Sequence, residues 1–397
     1  MKWVSALSRQ TDIDGAIQEA AESITQQLGS DQADLTIVFV SPQFKEFYDK
    51  VPDLISRYFK PGLVFGCSGG GIIGNGEEAE QQAAISITSA QLPGVKIQPL
   101  QFETTELPDQ DTSPSVWREW LQVQVEDNPH FVFLADPFSF QGEEFLAGVD
   151  FAYPNSKKVG GLASGAQALG GNALYLGNKI YNSGLVGIAL SGDIEVDTIV
   201  AQGCRPIGEP MPITKCKENL LQELDGKPPL EILKEIHETL SDSDKKLIQS
   251  SLFLGIEMDP MKDNPKQGDF LIRNLMGVDR ESGAVAIGAL LRNGQLVQFH
   301  LRDKKMSAED LDVMLTRYLN KGNAENAKGA LLFSCLGRGQ YLYGKANHDT
   351  DMFHGKLGKI PLGGFFCNGE IGPVGNTTFL HGYTSSFGIF RKASSHQ

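Results

Sequence analysis

Gly62-Leu63-Val64-Phe65-Gly66-Cys67-Ser68-Gly69-Gly70-Gly71 runs from apolar residues straight into a glycine turn. Its length and bounding glycines predict a buried strand ending in a tight bend. Two later stretches follow the same order: Gly160-Gly161-Leu162-Ala163-Ser164-Gly165 and Gly363-Gly364-Phe365-Phe366-Cys367-Asn368-Gly369-Glu370. A strand-like run precedes each, at 35–40, 131–134 and 330–334. The letters set Phe65-Gly66-Cys67-Ser68-Gly69 beside Phe365-Phe366-Cys367-Asn368-Gly369. Recurrence of this kind predicts one unit (strand, helix, strand, glycine turn, strand) used repeatedly.

Glycine supplies 44 of the 397 residues, above the usual ~7%. No G-X-Y period accompanies it, so the excess belongs to turns and close approaches rather than to a collagen-like helix. Around the glycine stretches, Ile13, Ile17, Ala20, Ile24 and Leu28 form one helical stripe, with Asp12 placed as its cap. Residues 174–181 read as a hairpin about Gly177-Asn178. Pro206, Pro210 and Pro212 punctuate 203–226, the best boundary in the chain. Beyond it lie a helix after Pro228-Pro229 and strands at 252–258, 269–278, 284–291 and 295–301. Arg292-Asn293-Gly294 predicts a hairpin between the last two. The expected domains are therefore 1–205 and 206–397. The fold class is α/β to α+β: two related halves, each a mixed β-sheet flanked by helices, stacked as an α-β-β-α sandwich.

Charge breaks at the same place. Residues 1–205 carry 12 Lys+Arg against 26 Asp+Glu, and residues 206–397 carry 23 of each. Neither half offers the basic stripe that nucleic acid or an anionic membrane requires. Five cysteines without a C-x-x-C exclude a disulfide framework and a zinc ribbon. With no apolar run of membrane-spanning length and no signal-peptide core at the N-terminus, a cytoplasmic protein is expected.

Gly69-x-Gly71-x-x-Gly74 spells a dinucleotide fingerprint. That chemistry needs a helix after the glycines and an acid about 20 positions on. Here 83–88 is strand-like and 90–100 has no Asp or Glu, so no cofactor is expected. Asn347-His348-Asp349-x-Asp351-x-x-His354 holds metal-type donors, but its histidines are six apart where H-E-x-x-H places them four apart. Asn347 or Asp349 capping a helix accounts for the same letters, and no metal is expected. Cys67, Cys335 and Cys367 sit at strand–glycine junctions, with His348, His354 and His381 as available bases. The same cysteines suit the ends of core strands. Arg273-Asn274 and Arg302-Asp303 put charge in apolar strands; Arg273 either clamps a carboxylate or pairs with Asp303.

These letters resemble the FIST family (F-box and intracellular signal transduction proteins), with an N-terminal and a C-terminal domain. The C-terminal resemblance rests on Gly268-Asp-Phe-Leu-Ile-Arg273-Asn274, Gln298-Phe-His-Leu-Arg302-Asp303, Cys335-Leu-Gly-Arg338-Gly339, 361–373 and Leu380-His381-Gly382-Tyr383-Thr384. The N-terminal one rests on Phe65-Gly-Cys67-Ser68-Gly69-Gly70. The resemblance implies a sensory module for small ligands such as amino acids. No F-box, kinase or cyclase accompanies it here, so a signalling protein partner is expected to carry the output.

The glycine turns are expected to converge on one cleft for a small ligand. Ser68, Gly69, Asp136, Ser164, Arg338, Asn368 and Glu370 would line it, joined by Cys67, Arg273, Asn274, Cys335, Cys367 and His381. Arg273 or Arg338 would take a carboxylate, and Glu370 or Asp136 an ammonium. No catalysis is expected. The alternatives are an enzyme using Cys335 or Cys367 with His381, and an interaction scaffold whose acidic half docks a basic partner.

Overall fold

The computed structural model describes residues 1–103, 107–109 and 111–393. It forms two compact units, one of 1–200, 312–380 and 384–397 and another of 201–311 and 381–383.

The first unit is built from one motif used three times. In the first repeat, strand β1 (Lys2–Ser8) leads to helix α1 (Ile13–Leu28), β2 (Leu35–Val40), α2 (Val51–Tyr58), β3 (Leu63–Ser68), a hairpin β4 (Gly71–Gly74) and β5 (Glu77–Glu80), and β6 (Ile85–Gln91). The second follows the same order with β7 (Val95–Phe102), α3 (Pro114–Leu121), β8 (His130–Ala135), α4 (Gly142–Ala152), β9 (Lys158–Leu162), the hairpin β10 (Leu174–Leu176) and β11 (Lys179–Tyr181), and β12 (Leu185–Gly192). The third opens with β13 (Glu195–Ala201).

Before the third repeat continues, the chain makes the second unit: β14 (Cys204–Lys217), β15 (Leu220–Leu224), α5 (Pro229–Thr239), α6 (Asp242–Leu247), β16 (Leu252–Glu257), β17 (Phe270–Val278), β18 (Val285–Ile287) and β19 (Leu296–Arg302). The third repeat then resumes with α7 (Lys304–Asn320), β20 (Ala327–Cys335), the short α8 (Gly339–Tyr343), α9 (His348–Leu357), β21 (Leu362–Cys367), the hairpin β22 (Glu370–Val374) and β23 (Thr377–His381), and β24 (Ser385–Arg391).

Each repeat makes a sheet whose middle pair is parallel: β2 with β3, β8 with β9, β20 with β21. The hairpins do not stay at home. The sheets run β1-β6-β2-β3-β10-β11, β23-β22-β9-β8-β12-β7 and β13-β24-β20-β21-β4-β5. Repeat 1 thus lends its hairpin to sheet 3, repeat 2 to sheet 1, and repeat 3 to sheet 2, a closed cycle of exchange. The inner faces of all three sheets share one core, including Phe39, Val132, Phe333 and Phe365. α1 and α2 cover the outer face of the first sheet, and α3 and α4 that of the second. On the third sheet, Phe353 of α9 stacks on Phe387 of β24. β2, β8 and β21 are buried along their whole length, which explains their near-continuous apolar letters. α1 behaves as its stripe predicts: Ile13, Ile17, Ala20, Ile24 and Leu28 are buried and the Asp12 carboxylate accepts from Gly15 N–H.

The α+β class therefore holds, with three sheets around a common core where a two-sheet sandwich was expected. The boundary expected near 205 falls at the entry to the second unit, but residues from 312 onward mostly rejoin the first. Residues 206–397 are accordingly not one compact body. The second unit is a closed barrel, β14-β15-β18-β17-β16-β19. The hairpin expected around Asn293-Gly294 is not made: β18 pairs with β15 and β17, and β19 with β14 and β16. Arg292-Asn293-Gly294 is a turn, but the barrel order separates the strands it joins.

Repeat equivalence is set by glycine. Gly66 lies opposite Val38, Gly160 opposite Phe133 and Gly364 opposite Leu332. A Cβ at these glycines would fall 1.8, 1.9 and 1.9 Å from the facing carbonyl oxygens. Only a residue without a side chain permits that approach. This register matches Cys67 with Gly161 and Phe365, and the swapped strands agree, since Leu174 pairs with Cys67, Glu370 with Gly161 and Ile72 with Phe365. The letter echo between Cys67 and Cys367 is thus two residues out of step. Gly160→Ala is expected to destabilise by about 1–3 kcal/mol, read as a lower urea midpoint with an unchanged m-value.

Candidate functional site

The three glycine turns meet at one end of the first unit. Ser164 N–H donates to Ser68 O at 3.2 Å, tying the second turn to the first. In return Gly70 N–H donates to Ser164 Oγ at 2.8 Å, and that hydroxyl donates onward to Phe366 O. The third turn closes on the second through Asn368 N–H to Leu162 O (3.1 Å), Asn368 Nδ2 to Ala163 O (3.1 Å) and Leu162 N–H to Gly369 O (2.8 Å). Ser164 is the hinge of this junction, since its hydroxyl touches both other turns.

Around the junction lies a layer of buried polar groups. Ser68 Oγ donates to Asn172 Oδ1 (3.2 Å) and accepts from Ala173 N–H (3.0 Å). Asn172 Nδ2 donates to Asp136 Oδ1 at 3.0 Å. The other oxygen of Asp136 accepts from Phe138 N–H and Ser139 Oγ, so this carboxylate holds the turn after β8. Glu370, fully buried, accepts from Thr384 N–H at 3.1 Å. Asn368 is exposed and Cys335 half-buried, so they form the rim of the junction with Leu336 and Gly337. Cys67 and Cys367 are fully buried, and burial pushes both thiols well up. Neither has the exposure or lowered pKa of a thiol that attacks a dissolved reagent first.

Arg338 does clamp a carboxylate, but one of its own chain. Its Nε and Nη2 reach Asp349 Oδ2 and Oδ1 at 2.8 and 3.2 Å, and Nη2 also donates to Tyr343 OH at 2.6 Å. Asp349 further accepts from Ser385 Oγ (2.6 Å) and contacts His348 Nδ1 (3.0 Å), whose ring stacks on Tyr343. Burial alone would raise Asp349, yet the Arg338 guanidinium and these hydrogen bonds hold it well below the usual carboxylate range. Glu78 completes the cluster from the swapped hairpin. Its Oε1 accepts from Asp349 N–H and Thr350 N–H, both at 3.1 Å, at the start of α9. Burial, and then the charge of Asp349, push Glu78 up to about 7. Next to Arg338, Gly339 leaves room for Glu80, whose carboxylate lies 2.6 Å from the place of a Cβ and accepts from Gln340 N–H at 2.8 Å. The Cys335-Leu-Gly-Arg338-Gly339 segment therefore fastens both α9 and the hairpin of repeat 1.

In His348–His354 the buried His348 and Asp349 serve this packing, while Asp351 is exposed. Asn347 Oδ1 accepts from Glu78 N–H, and His354 Nε2 contacts Ile360 O. Asn347 stands at the helix start without the side-chain cap expected of it. Among the described residues no group of three His, Cys, Asp or Glu is arranged to hold a metal.

Arg273, Asn274 and His381 belong to the barrel unit, and the other ten expected site residues to the three-sheet unit. Within the barrel unit, Tyr383 donates to Asn274 Oδ1, packs on Phe253 with centroids 4.3 Å apart, and lies under the Arg302 guanidinium at 4.9 Å. Tyr383 has φ of 67°, a left-handed backbone uncommon for a bulky residue. Asp303 pairs with Arg205, which also holds Asp244. Sequence reasoning missed Glu78, Tyr343 and Ser385. The acidic string Gly76-Glu77-Glu78-Ala79-Glu80 reads as a solvated turn, and nothing local marks its second glutamate as buried.

An α+β chain of three hairpin-exchanging repeats, with a barrel inserted in the third, is thus the class of protein in hand. Family models match it over most of its length: the FIST N domain over 34–227 and the FIST C domain over 229–373. The chain belongs to the FIST family, whose domains are linked to sensing in signal transduction. It is 33% identical over 387 residues to an uncharacterized protein of Mycobacterium tuberculosis, covering 97% of this chain and 98% of that one. An uncharacterized protein of Mycobacterium bovis is 32% identical over 378 residues, covering 94% and 95%. An F-box/LRR-repeat protein of Arabidopsis thaliana is 26% identical over 142 residues, 32% of this chain and 27% of the plant protein. Among the described residues no helix is long and apolar enough to cross a membrane.

Proposed function

We propose that this chain is a cytoplasmic sensory protein that binds a small ligand, an amino acid or related carboxylate, at the junction of the three glycine turns. It binds without chemical conversion and passes the signal to a partner protein. The observation that carries the reading is the convergence of the turns, which gathers backbone N–H groups, Ser164, Asn368 and Glu370 at one place. Backbone donors suit a carboxylate, and a buried carboxylate suits an ammonium. Arg338 is committed to Asp349 in a buried ion pair, so in this reading the ligand's carboxylate takes over Asn368 Nδ2 and turn N–H groups that otherwise hold the junction together.

A thermal-shift panel of amino acids and common carboxylates tests it. A ligand at 100 times its Kd is expected to stabilise by about 2.7 kcal/mol, and to be recovered unchanged. Asn368→Ala is expected to weaken that ligand about tenfold and, through the lost bond to Ala163 O, to lower the stability of the free protein by no more than about 1 kcal/mol. Silence across the panel, together with salt-sensitive capture of one basic protein, would favour the scaffold instead.

A further inference from the structure

Cys335 and Cys367 are direct register partners on the parallel strands β20 and β21. Two residues earlier, the partners Phe333 and Phe365 meet edge to face with centroids 6.0 Å apart. Side chains alternate along a strand, so the two sulfurs project from that same face. Neighbouring strands lie roughly 4.8 Å apart, inside the Cα window of about 4.4–6.8 Å that a disulfide spans. The two positions differ in access. Cys367 is fully buried, its sulfur 2.5 Å from where a Cβ on Gly161 would stand. Cys335 is half-buried at the rim, and its sulfur accepts from Gly337 N–H at 3.5 Å. The Arg338 guanidinium lies close enough for its charge to act on that sulfur. Access makes Cys335, and not Cys367, the sulfur that a dissolved oxidant meets first.

We propose that Cys335 and Cys367 form a peroxide-responsive dithiol, with Cys335 oxidised first and Cys367 resolving it to a cross-strand disulfide. The Cys335 thiolate attacks a hydroperoxide oxygen: the S–O bond forms, the O–O bond breaks, and the leaving oxygen departs as water (or alcohol) after taking a proton. The sulfur of Cys367 then attacks the sulfenic sulfur. The S–S bond forms, the S–O bond breaks, and the released hydroxide takes the Cys367 proton and leaves as a second water. Two thiols lose two electrons in all, and one peroxide gains them. The link would join the ends of β20 and β21 beside the junction of turns.

The test treats the native full chain with hydrogen peroxide and maps its cysteines by mass spectrometry. The wild type is expected to lose two of its five thiols and to yield the 335–367 peptide pair. In Cys367→Ser, Cys335 should stop at the sulfenic acid and be trapped by dimedone. In Cys335→Ser, loss of the Cys367 thiol should slow at least tenfold. The wild-type map stands even if a variant does not fold. A link between Cys67 and Cys367, a persistent sulfenic acid on wild-type Cys335, no reaction at Cys335, or a link formed only in urea would each overturn the proposal.

Discussion

Arg338→Ala is expected to cost about 3–5 kcal/mol of folding stability, because it leaves a buried carboxylate without its counter-charge. Arg338 is fully buried, and two of its nitrogens grip Asp349 in a forked pair. Removing it also strips Tyr343 OH of its donor and loosens the Tyr343–His348 stack. Asp349 would keep only Ser385 and His348 against a charge it cannot hydrate. The pH signature follows from its lowered pKa. That pairing contributes stability fully above the unfolded carboxylate value near 4 and loses it as pH falls further. The variant should therefore lose both the neutral-pH stability and the acid-side slope. Urea titrations at pH 7 and pH 3 check both. The double variant Arg338→Met, Asp349→Leu should recover most of the loss, since it removes both charges and keeps the volume. If Arg338→Ala cost less than about 1 kcal/mol and abolished ligand stabilisation instead, the guanidinium would be a receptor group and the ion pair incidental.

That test bears on what the sequence could show. The letters around Arg338 mark a residue fit to hold a carboxylate, and it holds one; the choice of carboxylate depends on where α9 starts, which no local pattern states. The strands and the threefold recurrence were legible because both rest on local chemistry: apolar runs that end where glycine must turn. The exchange of hairpins was not legible. β4 pairs with β21 and β22 with β9, across most of the chain, and alternation along a strand says nothing about its partner. The letter echo drifted by two residues because Cys and Gly recur at the turn, whereas the true constraint is the close backbone approach at Gly66, Gly160 and Gly364. A single-sequence comparison sees a glycine but not what it faces. Arg292-Asn293-Gly294 failed for a related reason: closing the barrel outweighed a good turn.

Glu78 extends the argument to a residue with no sequence signal at all. It is nearly inaccessible, and its carboxyl is pushed from the ordinary 4.5 up to about 7. The sign is opposite to that of Asp349. Between pH 4.5 and 7 the folded chain holds a proton that the unfolded chain has released, so stability falls as pH rises through that window and levels off above it. The displacement is worth about 3 kcal/mol. Glu78→Gln keeps an acceptor for Asp349 N–H and Thr350 N–H but has no proton to lose. The two proteins should be close in stability near pH 5, and the variant more stable by about 3 kcal/mol at pH 8. Urea midpoints at pH 5, 6, 7 and 8 measure the difference, and the subtraction cancels groups that titrate alike in both. Parallel curves would mean that Glu78 ionises at no cost, and would overturn this reading of its burial beside Asp349. A gap that opens between pH 5 and 7 would show that repeat 1 docks its hairpin on α9 through a protonated carboxyl. The swapped arrangement would then carry its own pH dependence in the range where cells operate.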